Sequence, residues 1–108
     1  MFSPANIKYK HLSSYLNEDN VDRAVKLRGL PFRVNAFDVV KFFHEEGGEA
    51  FKYISTSDIV IDFRDGKPTG FGLVFLKDEE DAETAQADLD HKYIGQRWIG
   101  ISAAEMRS

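Results

Sequence analysis

The chain has 108 residues, of which 43% are hydrophobic and nine are phenylalanine, so it can bury one core and no more. It has no cysteine, which excludes disulfides and thiolate metal sites, and its net charge of −4 argues against indiscriminate nucleic-acid binding. No segment approaches the roughly 20 apolar residues of a membrane span, so no membrane partner is expected.

The first part of the chain, residues 1–22, is polar and mixed, with little apolar periodicity. We expect an N-terminal extension that is partly helical and forms either a tail or a docking segment. The first strand is predicted at Ala24–Arg28, with Val25 and Leu27 facing inward by the period of two. The following Gly29-Leu30-Pro31 ends it.

A first helix is predicted to begin after Asn35, whose side chain can cap it, with Asp38 three residues later as the complementary carboxylate. The helix should run to about Glu46, because Gly47-Gly48 stops it. Its apolar face comprises Ala36, Val39, Val40 and Phe43.

Two further strands are predicted at residues 58–63 and 70–76, joined by a loop over residues 64–68 in which Asp-Gly supplies the turn. Alternation along the third strand points one set of side chains to the core and the other to the open face. The inward set is Gly72, Val74 and Leu76, and the outward set is Phe71, Leu73 and Phe75.

A second helix is predicted after Asp78, with a small inner stripe that includes Ala82, Ala85 and Leu89. Residues 91–96 connect it to a fourth strand at about residues 97–102. The order β-α-β-β-α-β predicts an α+β, ferredoxin-like sandwich, with a four-stranded antiparallel sheet and both helices on one face. The domain should span residues 23–103, with a tail at 104–108.

The two central strands resemble those of an RNA recognition motif, in which exposed aromatic side chains on the sheet stack on unpaired bases. The three corresponding positions are Lys26, Phe71 and Leu73, so one aromatic remains. In the alternative interpretation, Phe71 and Phe75 are covered by the N-terminal segment or the C-terminal tail.

Three motifs follow in order over residues 24–103: Arg28-Gly29-Leu30-Pro31-Phe32, Gly66-Lys67-Pro68-Thr69-Gly70 and Gly95-Gln96-Arg97-Trp98. Together they resemble the quasi-RNA recognition motifs of the heterogeneous nuclear ribonucleoproteins F and H. The resemblance implies that three loops, not the sheet face, cage a short run of guanines.

Carried over by position, the resemblance implies one set of RNA-binding residues and no catalytic residue. Arginine can pair bidentately with guanine, and aromatic rings can stack on it. His91 stands where the family usually has an arginine, so it can stack or hydrogen-bond but lacks a fixed charge. The RNA-binding set of the loops is Arg28, Phe32, Lys67, Arg97 and Trp98. Two secondary members are His91 and, from the sheet-face positions named above, Phe71.

The expected partner is therefore single-stranded, G-rich RNA, bound by a monomer without a cofactor. The resemblance implies a part in mRNA processing, such as splicing or stability, in the nucleus, with the cytoplasm or shuttling as alternatives. Protein partners would dock on the helix faces.

Two other functions are compatible with parts of the sequence. Some RNA recognition motifs bind a tryptophan-bearing peptide through a loop before the last strand, here His91-Lys92-Tyr93, and acidic residues on the first helix, here Glu45-Glu46. Acylphosphatases have a phosphate loop similar to Gly29-Leu30-Pro31-Phe32-Arg33, but Pro31 removes an N–H donor and Asp62 would repel phosphate. Phe32 and Trp98 could also have packing roles only.

Overall fold

A four-stranded antiparallel sheet with two helices on one side organises residues 12–106, which are the residues that the computed structural model describes. The helices and strands are β1 (Ala24–Arg28), α1 (Ala36–Gly47), β2 (Ile59–Arg64), β3 (Lys67–Phe75), α2 (Glu79–Asp88), β4 (Tyr93–Ile94), β5 (Arg97–Trp98) and β6 (Gly100–Ala103). The sheet order is β2-β3-β1-β6, and the predicted fold class is confirmed.

Both helices begin at the predicted side-chain caps. The Asn35 side chain accepts a hydrogen bond from the Asp38 N–H at 2.9 Å, and the Asp38 carboxylate accepts one from the Asn35 N–H at 3.0 Å. Asp78 accepts from the Asp81 N–H at 2.8 Å. Each bond satisfies a helix-terminal N–H that would otherwise lack a partner, which is why short polar side chains start these helices.

The β2–β3 hairpin turns at Asp65 and Gly66, which have φ values of 54° and 79°. Positive φ at both central residues matches the right-handed twist of the flanking strands. The turn is therefore tighter than predicted: β2 continues to Arg64 and β3 begins at Lys67 instead of Gly70.

The main core lies between the sheet and the helices. Its aromatic centre is Phe43, which meets Phe42 and Phe51 edge to face at centroid distances of 5.7 and 5.8 Å. Phe51 and Ile54 come from the connection after α1, which therefore contributes to the core.

The opposite face of the sheet is partly covered, and this corrects the expectation for Leu73. Leu73 is only 2% exposed, because it belongs to a second apolar cluster on that face. The short 3-10 turn Leu12–Tyr15 and the residue after it supply Leu12 and Leu16 to this cluster. Phe71 stays 38% exposed. The other cluster members are Ala24, Val60, Phe75 and Ala104.

The predicted fourth strand is wrong in its bounds, because the segment divides into two strands of different sheets. Tyr93 pairs with Trp98, and Ile94 with Arg97, in a small separate hairpin. Only β6 joins the main sheet, beside β1.

No helix within residues 12–106 is long and apolar enough to cross a membrane. Residues 1–11 and 107–108, parts of the predicted extension and tail, lie outside the described residues.

Candidate nucleic-acid interface

Arg28 is the last residue of β1, and it lies beside Phe71 of β3 on one side and Gly100 of β6 on the other. By the alternation of β1, its side chain points to the face of the sheet that the helices leave open. The guanidinium carbon lies 5.2 Å from the centroid of the Trp98 ring, within the range of a cation–π contact. Arg28 thus connects the sheet to the β4–β5 hairpin.

Arg97 connects the same hairpin to the loop after β1. Its Nε donates a hydrogen bond to the Gly29 carbonyl oxygen at 3.1 Å. Gly29 has a φ of 82°, and a Cβ there would lie 3.0 Å from the Trp98 carbonyl oxygen. A glycine is therefore required both for the backbone conformation and for this close approach.

His91 and Trp98 form a stacked pair, with ring centroids 4.4 Å apart and ring planes 10° from parallel. His91 has a φ of 70°, an uncommon conformation for a residue with a side chain and a cost of about 1–3 kcal/mol. Its N–H donates to the Ile99 carbonyl at 2.8 Å, which helps to hold the backbone in that conformation.

The Asp90 carboxylate holds the His91 ring in place through Nδ1. One carboxylate oxygen lies 2.9 Å from His91 Nδ1, and the other accepts the Ile101 N–H at 2.7 Å. The Ile101 hydrogen bond holds the pKa of Asp90 below its ordinary value, and the His91 hydrogen bond acts in the same direction. Because an ionised carboxylate only accepts hydrogen bonds, His91 Nδ1 carries the proton in this pair.

Phe32 is 66% exposed in the loop between β1 and α1, so it does not close that loop over the core. Its neighbours Leu30 and Val34, both buried, do so instead. The loop is shaped by the Val34 N–H donating to the Pro31 carbonyl at 3.1 Å. Phe32 therefore presents its ring to solvent.

Side-chain contacts join three of the predicted residues, Arg28, Trp98 and His91. A fourth, Arg97, is hydrogen-bonded to the Gly29 carbonyl oxygen, next to Arg28 in the chain. Phe71 adjoins this set as the cross-strand neighbour of Arg28, with Lys26 Nζ 5.0 Å from its ring centroid. Lys67 and Phe32 are exposed in flanking elements. Within residues 12–106, no hydrogen bond, ion pair or ring contact joins either of them to these four residues.

Sequence reasoning missed two residues that shape this site. Asp90 holds His91, and a carboxylate directly before a loop histidine is the signal that could have revealed it. Gly100 makes room for the Arg28 side chain, but that role depends on strand register and has no local signal. No group of His, Asp and Glu side chains suited to a metal ion exists among residues 12–106.

The β-α-β-β-α-β sandwich, which here exposes basic and aromatic side chains at one end of its sheet, is the fold of the RNA recognition motif class. The model of the RRM domain family matches residues 25–108. Human heterogeneous nuclear ribonucleoprotein H2 is 31% identical over 81 residues, which are 71% of this chain but only 16% of that protein.

Solved structures agree with that assignment. The crystal structure of the Glorund qRRM2 domain has a TM-score of 0.60 and 31% identity, covering 76% of this chain and 88% of that one. Human G-rich RNA sequence binding factor 1 has a TM-score of 0.60 and 26% identity, covering 76% and 79%. The chain belongs to the quasi-RNA recognition motifs of the heterogeneous nuclear ribonucleoprotein F/H type, and it is an RNA-binding, non-enzymatic domain.

Proposed function

We propose that this domain binds a short run of guanines in single-stranded RNA through its loops, as a monomer. The observation that carries the proposal is the stack of His91 on Trp98 with the Arg28 guanidinium carbon 5.2 Å from the Trp98 ring centroid. Arg97 of the same hairpin is hydrogen-bonded to the Gly29 carbonyl oxygen in the loop after β1. Guanine suits such a site, because it offers a large π-face and two acceptors on one edge that a guanidinium matches bidentately.

The charge distribution supports a small site of this kind. A net charge of −4 leaves little general attraction for a polyanion, so affinity must come from a few close contacts. We assign stacking to Phe32 and Trp98, guanine or phosphate contacts to Arg28 and Arg97, and a backbone contact to Lys67.

The partial covering of the open sheet face also favours RNA binding by the loops. Of the three usual stacking positions, Leu73 is buried under Leu12 and Leu16, Lys26 has no ring, and Phe71 offers an exposed ring.

The preference for guanines is supported by similarity to a protein named as human G-rich RNA sequence binding factor 1. By the same similarity we propose a role in nuclear mRNA processing, within a longer protein whose other domains would add avidity.

The proposal is tested by NMR titration of the labelled chain with an RNA containing GGG, with oligouridine as the matched control. We expect shifts in the Phe32, Lys67 and Trp98 loops with the G-run RNA only. Shifts centred on Phe71 and the sheet would replace the proposal with ordinary sheet-face binding, and equal responses to both RNAs would remove the guanine preference.

A second candidate, binding of a tryptophan-bearing peptide, is favoured by one groove between α1 and the β4–β5 hairpin. Its volume is about 200 Å³, which suits one large side chain better than a whole small-molecule ligand. A basic peptide with an aromatic anchor would fit its charge. The lining residues are Asp38, Lys41, Phe42, Glu45, Glu46, Tyr93, Ile94 and Gly95. A response to such a peptide near Tyr93, with none to RNA, would favour this function.

A further inference from the structure

One face of the Trp98 ring is not open to a base. The His91 imidazole already lies parallel to it at 4.4 Å, and the Arg28 guanidinium carbon lies 5.2 Å from its centroid. A base that stacked on the face covered by His91 would first have to move the imidazole. Direct stacking of a base on this face of Trp98 therefore conflicts with the packing of this chain.

His91 is held firmly enough for that conflict to matter. Moving its ring would break the hydrogen bond between Nδ1 and Asp90 as well as the stack on Trp98. Asp90 cannot easily follow, because its second oxygen is bound to the Ile101 N–H of β6 at 2.7 Å. Charge-assisted bonds of this kind are the stronger ones in proteins.

The imidazole is the ring of the pair with the larger exposed fraction. The His91 side chain is 62% exposed, and the Trp98 residue is 41% exposed. Since Nδ1 carries a proton toward Asp90, Nε2 remains at the solvent edge, where it can accept a hydrogen bond in the neutral form or donate one in the protonated form. A flat exposed ring with one polar edge is a suitable surface for a base.

We propose that a base of the bound RNA stacks on the exposed face of His91, extending the His91–Trp98 stack by one ring, and that Asp90 positions the imidazole for this contact. The inference rests on the proposed function and refines it: Trp98 supports the stack from behind, and the base touches His91. Asp90 is a positioning residue, since it acts only through His91.

Imidazole proton shifts give a direct test. In the protein without RNA, the ring current of Trp98 should move the His91 carbon-bound protons upfield. On addition of the GGG RNA, they should move further upfield, because the imidazole becomes sandwiched between two rings. A return toward the values of an unstacked imidazole would mean that the base displaces His91, and unmoved signals would mean that no base reaches it; either result overturns the inference.

Substitutions separate stacking from positioning. His91→Asn, which tolerates the positive φ, should weaken binding of the GGG RNA by about 5- to 150-fold, the value of one base stack. His91→Phe should restore part of that loss, because it keeps a flat ring but loses the hydrogen bond to Asp90 and suits the positive φ less well. A His91→Asn variant with full affinity would overturn the inference.

Asp90→Asn keeps the side-chain shape and an acceptor for Ile101, but it removes the charge that holds the imidazole. It should reduce the upfield shifts of His91 in the RNA-free protein and weaken RNA binding several-fold. Asp88→Asn, the same change at the end of α2, is the matched control and should do neither. If Asp90→Asn leaves both readouts unchanged, Asp90 has no positioning role.

Failure of this inference can be told from failure of the proposed function. Loop shifts with the G-run RNA, together with unstacked or unmoved His91 signals, would contradict the inference alone. Absence of any loop response to the GGG RNA would contradict the proposed function, and the inference with it.

Discussion

The side chain of Arg28 lies across the backbone of Gly100, its neighbour on β6. A Cβ at Gly100 would lie 2.7 Å from Arg28 Nε and 2.9 Å from Arg28 Cζ, closer than real Cβ contacts allow. The missing side chain at position 100 thus lets the guanidinium extend toward the Trp98 ring. A residue with no polar side chain thereby determines where a proposed RNA-binding cation lies.

Gly100→Ala is therefore expected to weaken RNA binding while leaving the fold intact. The Arg28 side chain is flexible and exposed, so it can move away from the new methyl group at little cost in stability. Displacing one guanine-contacting arginine should cost about 1–3 kcal/mol of binding free energy, measured by fluorescence anisotropy with the GGG RNA.

A double-mutant cycle provides the control for this mechanism. If Gly100→Ala acts only by moving Arg28, adding it to Arg28→Ala should produce no further loss of affinity. Additive losses would show that Gly100 matters for another reason.

Removing the aromatic and cationic groups of the hairpin should affect RNA binding more than folding. Trp98→Ala and Arg97→Ala should each cost about 1–3 kcal/mol of RNA affinity, because one removes a stacked ring and the other a charged donor. Titration calorimetry would measure the loss, and circular dichroism would check the fold. Lys52→Ala, which removes an exposed cation after α1, is the matched control; full affinity in both hairpin variants would contradict the loop site.

The segment before β1 should contribute to stability without contributing to RNA binding. Leu16 is half-buried against the cluster around Leu73, so Leu16→Ala should lower the free energy of unfolding by about 1 kcal/mol. Urea denaturation would measure this change, and Met106→Ala, at an exposed position, would serve as control. A large change in affinity for the GGG RNA would mean that this segment is part of the binding site.

The contact between Tyr53 and Asp81 should make stability depend on pH at both extremes. Tyr53 donates to the Asp81 carboxylate at 2.7 Å, and Lys77 pairs with the same carboxylate. Desolvation opposes ionisation of Asp81, but hydrogen bonds from Lys77 and Tyr53 hold its pKa below the ordinary value. Burial raises the pKa of Tyr53; the Lys77 N–H bond opposes this, and the Asp81 bond adds to it.

Proton linkage determines the direction in which pH changes the stability of the fold. Since the pKa of Asp81 is lowered on folding, its stabilisation is present above about pH 4 and is lost as the pH falls further. Since the pKa of Tyr53 is raised, its stabilisation is present below about pH 10 and is lost as the pH rises beyond that value. Urea unfolding across this range should show both losses; Asp81→Asn should flatten the acid side, and Tyr53→Phe the alkaline side. Unchanged profiles in these variants would assign the pH dependence to other groups.

Much of the fold could be predicted from short-range patterns in the chain. Three kinds of feature act within a few residues and can therefore be predicted without the tertiary structure. They are the alternation at Val25 and Leu27, the helix caps at Asn35 and Asp78, and the Asp-Gly turn. The bounds of the last strand could not be predicted in this way, because the hairpin before it depends on pairing between Tyr93 and Trp98, which local propensity does not encode.

The candidate site likewise has features that the sequence predicts and features that depend on tertiary packing. The sequence by itself determined which arginines and aromatic residues the loops would carry, because their motifs have characteristic residue types and spacing. Only the tertiary structure decided that Leu73 is covered by residues before β1, that Arg28 extends across Gly100, and that His91 covers a face of Trp98. These contacts join segments distant in the chain or depend on an unusual backbone angle, so they arise only when the whole domain packs.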